Sequence, residues 1–360
     1  MKLRGLMLCG LLLLGGCASV GTGPRWFGEV QWRTGVERAG FDPDRVLYPF
    51  GVTPEMRSWA RRETAWAHAD LDELTALQRA LFNVHEFTFE YDEAHTLPPS
   101  EAFAERRGNC LTFTALFVAL SRSLGLNTVL VSVKRAPRFT KGEDLVIVNR
   151  HVVAGYPSAG RIFLFDFYRT PEEPYYGYQV VDDVTGTALF YANFGGAALQ
   201  AGDLQAARSN LEMALRLSPS LGAAWVNLGV VLRRAGDREN AVRAYQRALK
   251  IEPDDPSAWT NLAYVYQLGG EEEKARLALL AAARGGSSPY SLIALAEAEV
   301  TRGRLGEARR YLDRARRRFQ QVPEVWDALS RFAERQGRPR RAAKFARHAS
   351  RLRQKGRDRD

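Results

Sequence analysis

Arg106-Arg107-Gly108-Asn109-Cys110 runs directly into Leu111–Leu124, a stretch with Phe113, Leu116, Phe117, Leu120 and Leu124 on it and Gly125 after it. Steps of three and four residues belong to one face of a helix. Asn109 is a natural N-cap and Gly125 a natural C-terminal stop, so the spacing predicts a helix with Cys110 in its first turn. A thiol there is chemically set apart. The unpaired N–H groups and the positive end of the helix dipole stabilise a thiolate. The same N–H groups can donate to the oxyanion that forms when a thiolate attacks a carbonyl. Asn109 therefore has two readings, as a cap or as an oxyanion donor.

Around this helix the period of the sequence changes. Upstream, Pro54–His85 carries Trp59, Trp66, Leu71, Leu74, Leu77 and Leu81 at mostly helical steps, which predicts helix with both tryptophans in the core. Downstream, Thr128–Val133, Leu145–Ala154 and Arg161–Tyr168 are rich in Val, Ile and Phe and read as strands. A helix followed by antiparallel strands is an α+β pattern. A thiol nucleophile needs a base and a group that orients the base. Of the five histidines, His348 lies far downstream, His68 in the upstream helix, and His85 and His95 in or near loops before the cysteine. His151 differs, since it sits in a strand among branched apolar residues. On the next strand, Phe163-Leu164-Phe165-Asp166-Phe167 holds a carboxylate within an aromatic run. Taken singly, a strand histidine is ordinarily structural and a strand aspartate an edge residue.

The chain has three cysteines. Lys2 and Arg4 precede an apolar core, Leu6–Leu14, that is too short to span a bilayer. Leu14-Gly15-Gly16-Cys17 has the pattern of a bacterial lipoprotein cleavage box. Residues 1–16 thus read as a signal peptide that removes Cys9, Cys17 as the lipidated residue, and 17–45 as a tether. Ala18 in place of Asp after that cysteine points to the outer membrane and its periplasmic face. Cys110 is then the one free thiol of a secreted chain, which itself calls for an explanation. Without an intramolecular disulfide, stability must come from packed cores.

From about residue 188 the sequence repeats itself. Gly202, Gly236, Gly270, Gly303 and Gly337 recur at steps of 34, 34, 33 and 34. Ala207, Ala241, Ala275, Ala308 and Ala342 follow in phase, and so do Ala214, Ala248, Ala282, Ala315 and Ala349. An early slot holds Tyr191, Trp225, Trp259, Leu292 and Trp326, and Pro219 and Pro253 close the first two units. Small residues let paired helices approach, the aromatic fills the gap between neighbours, and glycine permits the turn. The unit resembles the tetratricopeptide repeat, most fully over Ala224–Pro253. That resemblance implies an array that binds a protein or peptide. Asn227 and Asn261 occupy matching positions of adjacent repeats and are candidate peptide-binding residues, with hydrogen bonding inside the array as the other reading.

Charge is uneven along the chain. Residues 301–360 hold 20 Lys and Arg against 7 Asp and Glu, a net +13, so with +10 overall residues 1–300 total −3. That excludes a general nucleic-acid binder. The basic last repeat reads as a solubilising cap or as a site for an anionic partner.

Arg106-x-Gly-Asn-Cys110-x-x-Phe-Thr-Ala-Leu, then His151-Val-Val-Ala, then Phe165-Asp166-Phe together resemble the transglutaminase-like core over about residues 70–170. The family carries Cys, His and Asp in this order, on a helix N-terminus and two adjacent strands. The resemblance implies Cys110 as nucleophile, His151 as base then acid, and Asp166 as the carboxylate that orients it, the same logic as in papain-like proteases. Leu111 stands where calcium-dependent animal relatives have Trp. No acidic cluster has calcium-ligand spacing, so no metal or cofactor is expected. His95, Thr96 and Asn109 are the candidate side-chain oxyanion donors. The expected fold class is an α+β papain-like or transglutaminase-like domain over 46–187, an all-α tetratricopeptide-repeat solenoid over 188–353, and a basic tail at 354–360. The expected function is amide hydrolysis or acyl transfer through a Cys-thioester, with hydrolysis favoured and the array recruiting substrate. A non-enzymatic scaffold of the cell envelope is the alternative, and a cell-wall binding module a third.

Overall fold

The computed structural model describes residues 27–83, 87–134, 139–142, 145–148, 151–166, 177–285 and 288–357. Cys17, His85, Tyr168 and the last three residues lie outside them.

The chain begins with α1 (Glu29–Arg38), a 3-10 turn (Pro43–Arg45), α2 (Pro54–Thr64) and α3 (Asp70–Leu81). Then come β1 (Glu90–Tyr91), α4 (Pro99–Glu105), β2 (Arg107–Gly108) and α5 (Cys110–Ser123). The strands β3 (Val129–Lys134), β4 (Phe139–Gly142), β5 (Leu145–Val148), β6 (His151–Ser158), β7 (Arg161–Phe165) and β8 (Gly177–Val181) follow. The remaining helices are α6 (Asp183–Gln200), α7 (Leu204–Leu217), α8 (Gly222–Arg234), α9 (Arg238–Ile251), α10 (Pro256–Leu268), α11 (Glu272–Gly285), α12 (Pro289–Thr301), α13 (Leu305–Arg318), α14 (Pro323–Arg335) and α15 (Pro339–Arg357).

The α5 helix is the axis of the first core. Every residue from Leu111 to Ser121 is buried, so the expected one-sided stripe is in fact an all-round apolar helix. It lies between α2, α3 and α4 and the sheet. The sheet has the order β7-β6-β3-β8, and all its neighbours are antiparallel. Buried hydroxyls of α5 are satisfied, near its end by the 2.6 Å contact of Ser121 Oγ with Thr128 Oγ1.

Two sequence expectations need correction. Pro54–His85 is two helices, broken over Ala65–Ala69, and Trp66 is 61% exposed while Trp59 is buried. The five-residue step from Trp66 to Leu71 breaks the helical period, and Asp70, Asp72 and Glu73 supply an acidic first turn for a new helix. Leu145–Ala154 is also two elements. Leu145–Val148 pairs with Phe139–Gly142 as a separate hairpin, and His151 opens the strand that joins the main sheet opposite Val133.

The second half is five helical hairpins, α6/α7 through α14/α15. Gly202, Gly236, Gly270, Gly303 and Gly337 sit at their turns with φ between +67° and +83°, a conformation that costs residues with a Cβ about 1–2 kcal/mol. The repeated alanines are buried to within 2% exposure in every hairpin. The tryptophans do more than fill gaps. Trp225, Trp259 and Trp326 each donate Nε1–H to the carbonyl six residues earlier, at Pro219, Pro253 and Gln320, over 2.9, 2.7 and 2.8 Å.

The two halves are fastened together by residues expected to be tether. Phe27–Arg45 is folded from Glu29 onward, with Trp32 and Val36 packed among Val184, Ala188, Ala214 and Leu217. Trp32 Nε1 donates to Thr187 Oγ1 at 2.9 Å. Buried Asp183, at the start of α6, accepts from Arg122 Nη1 and Nη2 at 2.7 and 2.9 Å and from Gly28 N at 2.7 Å.

Candidate active site

Gly108 prepares the entry into α5. Its φ is +149°, and a Cβ there would stand 2.3 Å from Thr112 Cγ2, so only glycine lets the chain pass this close to the first turn. Asn109 then caps the helix, its Oδ1 accepting from Thr112 N at 3.1 Å. That leaves the N–H groups of Cys110 and Leu111 as first-turn donors without a protein acceptor among the described residues. Cys110 is half-buried and unpaired with any other cysteine.

His151 comes to this thiol from the first position of β6, and Asp166 from just past the end of β7. Their strands are hydrogen-bonded neighbours, which brings together two residues 15 apart. His151 Nε2 lies 2.8 Å from Asp166 Oδ1, and Cys110 is the other group close enough to favour the ring's cationic form. With Nε2 on the carboxylate, Nδ1 is the nitrogen left for the thiol. Burial of the ring opposes its protonation, but the interactions with Asp166 and Cys110 outweigh this and push its pKa up to about 9. Both neighbours, a carboxylate and a sulfur, thus favour the cationic imidazole.

Three residues that the sequence reading missed hold this set. Gln78 of α3 donates Nε2–H to the Asp166 carbonyl at 2.8 Å. Buried Thr114 places its hydroxyl 2.7 Å from the Cys110 carbonyl and 3.0 Å from that of Val152, tying the cysteine helix to the histidine strand. Asn193 of α6 donates to Thr96 Oγ1 at 3.2 Å. Asn193 had a signal, since it precedes Asn227 by 34 residues, and Thr114 lies within the quoted Cys110-x-x-Phe-Thr-Ala-Leu motif, where no role was given to it; Gln78 had none.

The candidate oxyanion donors divide. Asn109 Nδ2 is committed to Thr96 Oγ1 at 2.6 Å, which favours the capping reading of Asn109. His95 Nδ1 lies 2.6 Å from Asp92 Oδ2, and its backbone carbonyl accepts from Asn109 N at 3.0 Å. The backbone N–H groups of Cys110 and Leu111 are the oxyanion donors that the helix itself offers. In the array, Asn227 is half-buried and Asn261 is 3% exposed.

Residues 57–181 match the model of the transglutaminase-like superfamily. Residues 231–270 and 291–332 match models of the TPR and tetratricopeptide repeat. The chain carries a transglutaminase-like domain followed by tetratricopeptide repeats. The first is an enzyme-type domain and the second a protein-interaction region. Similar solved structures include PilF of Pseudomonas aeruginosa, 20% identical with a TM-score of 0.42, over 46% of this chain and 76% of that one. MamA of Desulfovibrio magneticus RS-1 is 18% identical with a TM-score of 0.37, over 47% of this chain and 96% of that one. At such TM-scores these likenesses say nothing about function. A comparison with curated proteins found no match. The transglutaminase-like match spans all three residues that meet at the head of α5.

Proposed function

We propose that the transglutaminase-like domain is a thiol amide hydrolase. The observation that carries this reading is the His151 ring, 2.8 Å from Asp166, brought to Cys110 at the head of α5, where the thiol and the carboxylate both favour its cationic form. In the reaction, the thiolate of Cys110 attacks an amide carbonyl, and the oxyanion accepts from the first-turn N–H groups. The carbon–nitrogen bond breaks as His151 gives its proton to the leaving amine, which leaves a thioester on sulfur. Water then attacks the thioester, its proton goes back to His151, and the acid is released from the regenerated thiolate. An amine in place of water would make the same site an acyltransferase. Hydrolysis is preferred because it needs no second substrate site. Asp166 fixes the orientation of the ring throughout and its tautomer once it has given up the proton.

The repeat array recruits the protein or peptide that carries this amide. The chain is anchored by lipid on Cys17 at the outer membrane and faces the periplasm, a reading that rests on the N-terminal sequence. The basic face of the last hairpin would meet an anionic partner there, such as phospholipid headgroups.

Iodoacetamide alkylation of a form lacking residues 1–17 tests the chemistry. Cys110 should be modified rapidly near neutral pH and slowed in both His151→Ala and Asp166→Asn. A slow thiol indifferent to both substitutions would sink the hydrolase. Labelling with palmitate that persists in Cys17→Ser would sink the anchor.

A further inference from the structure

The five hairpins repeat one plan, so a departure in one of them stands out. Their second helices are α7, α9, α11, α13 and α15. In α11 the residues seven and ten positions after the turn glycine Gly270 are Leu277 and Leu280. The other four hairpins hold Ser209, Arg243, Arg310 and Lys344 at the first of these positions, and Glu212, Gln246, Asp313 and Arg347 at the second. Those are residues of a solvated face. Leu277, by contrast, is 55% exposed, and Leu280 is only partly buried at the edge of its core. The helix packs chiefly on α10 and α12, with Ala275, Ala278, Leu279, Ala282 and Ala283 buried. The two leucines lie on the side away from them.

The ends of that side are charged. Glu273 precedes Leu277 by four residues, and Arg284 follows Leu280 by four. At about 100° per residue the four side chains fall within about 60° of the helix circumference, as one stripe about 16 Å long. Glu273 stays 55% exposed although it accepts from Arg276 Nη2 at 2.7 Å and Arg302 Nη2 at 3.0 Å, and a carboxylate can take about four donors. Arg284 is exposed and, among the described residues, has no acidic partner. The stripe is symmetric, for the leucines and the two charges share one midpoint, between Ala278 and Leu279. Laid antiparallel on a copy of itself, it sets leucine on leucine at the centre and Glu273 on Arg284 at each end. Laid parallel, it would set Glu273 on Glu273 and Arg284 on Arg284, a repulsive arrangement.

We propose that the exposed stripe of α11 is an interface for a second copy of this chain, with α11 antiparallel to α11 about a two-fold axis. A two-fold contact must be complementary to itself, and of the five second helices only α11 meets that condition with apolar residues at its centre. The corresponding stripe of α15, Arg340, Lys344, Arg347 and Arg351, would repel its own copy. The pairing is independent of the thiol chemistry proposed above. A single helix pair of this length buries less than the roughly 1,200 Å² of a stable interface, so the dissociation constant should lie at roughly 10–100 µM. Chains tethered to one membrane surface, as proposed above, would pair more fully.

Sedimentation velocity of the form lacking residues 1–17, from about 1 to about 300 µM, reads the pairing. Dimer should grow in across that range, and Leu277→Glu should raise the dissociation constant at least tenfold. Arg284→Glu sets carboxylates together at both ends and should do the same; it decides alone if Leu277→Glu fails to fold by circular dichroism. The register is read in a Cys110→Ser background, which has no other cysteine once residues 1–17 are removed. Under mild oxidation Glu273→Cys and Arg284→Cys should each stay unlinked alone, because like positions stand about 16 Å apart along the axis, beyond the ~7 Å Cα span of a disulfide. Mixed, the two should give a disulfide-linked heterodimer. A protein that stays monomeric across the whole range overturns the proposal. So does a dimer that survives both charge-introducing substitutions, or a cysteine variant that links to itself as readily as to its complement.

Discussion

In the array, the turn glycines, the buried alanines and the tryptophan bonds do the same work every 34 residues or so, because each hairpin packs mainly on its neighbours. In the transglutaminase-like domain nothing repeats. Cys110, His151 and Asp166 meet only because α5 packs on β6 and β6 pairs with β7. The array is a sum of local interactions, whereas the site is one cooperative arrangement in which each group sets the state of the next. The difference teaches where substitutions should add and where they should couple.

The largest effect is expected where the two kinds of order join. Asp183 is fully buried and accepts three hydrogen bonds from Arg122 and Gly28. Asp183→Ala leaves the guanidinium without its partner, and breaking a buried pair typically costs about 3–5 kcal/mol. Urea unfolding should lose that much for the first transition and separate into two, one per region. A single unchanged transition would mean that the junction does not couple them.

His151→Ala comes next, acting inside the site alone. It removes the cation beside the sulfur, and iodoacetamide labelling of Cys110 at neutral pH should fall by roughly a hundredfold, or about 2.7 kcal/mol of barrier. The combined His151→Ala and Asp166→Asn variant should be scarcely slower than His151→Ala, since the carboxylate acts through the ring. Labelling that fell in proportion to both would contradict a coupled set.

The same ring makes the fold sensitive to pH. Its pKa is raised to about 9 from an ordinary value of 6.5. A raised folded-state value means stability that is fully present below about 6.5 and lost as pH rises through about 9. Unfolding free energy should therefore fall between pH 6 and pH 9.5 by something on the order of 1–3 kcal/mol. Asp166→Asn should flatten that fall, and an equal slope in the variant would assign it to other groups.

Much of this was legible before any coordinates. A fixed period announces itself in one dimension, so the five hairpins, their turns and their buried alanines could be read from spacing alone. Asn109, Cys110 and Gly125 were legible because capping is a local matter. His151 and Asp166 became a pair only through resemblance, since no local pattern says that two strands are neighbours. The reading failed where local pattern misled. Trp66 keeps an apolar character yet lies exposed in a break, and Leu145–Ala154 keeps a continuous β pattern across a change of partner strand. Phe27–Arg45 was read as tether, but Trp32 and Val36 are buried against α6 and α7, with Phe41 packed beside them. Thr114 stood in the quoted motif without a role and Gln78 left no trace, for a hydroxyl or an amide carries no mark of the distant carbonyl it will meet.

The smallest effect tests additivity in the array. Trp225 and Trp259 donate Nε1–H to Pro219 and Pro253 carbonyls in successive hairpins. Trp→Phe removes that bond and some packing area at either site, and each should cost about 1 kcal/mol. In a one-dimensional array the two sites do not share a hydrogen bond, so the double variant should lose about 2 kcal/mol, within the ~0.5 kcal/mol expected of independent sites. Both tryptophans border the same apolar cluster, together with Tyr266 and Leu221, so packing is the one route by which they could couple. A coupling energy well above that margin would show that packing along the array carries information between hairpins. It would place the array nearer the catalytic domain in kind than its repetition suggests.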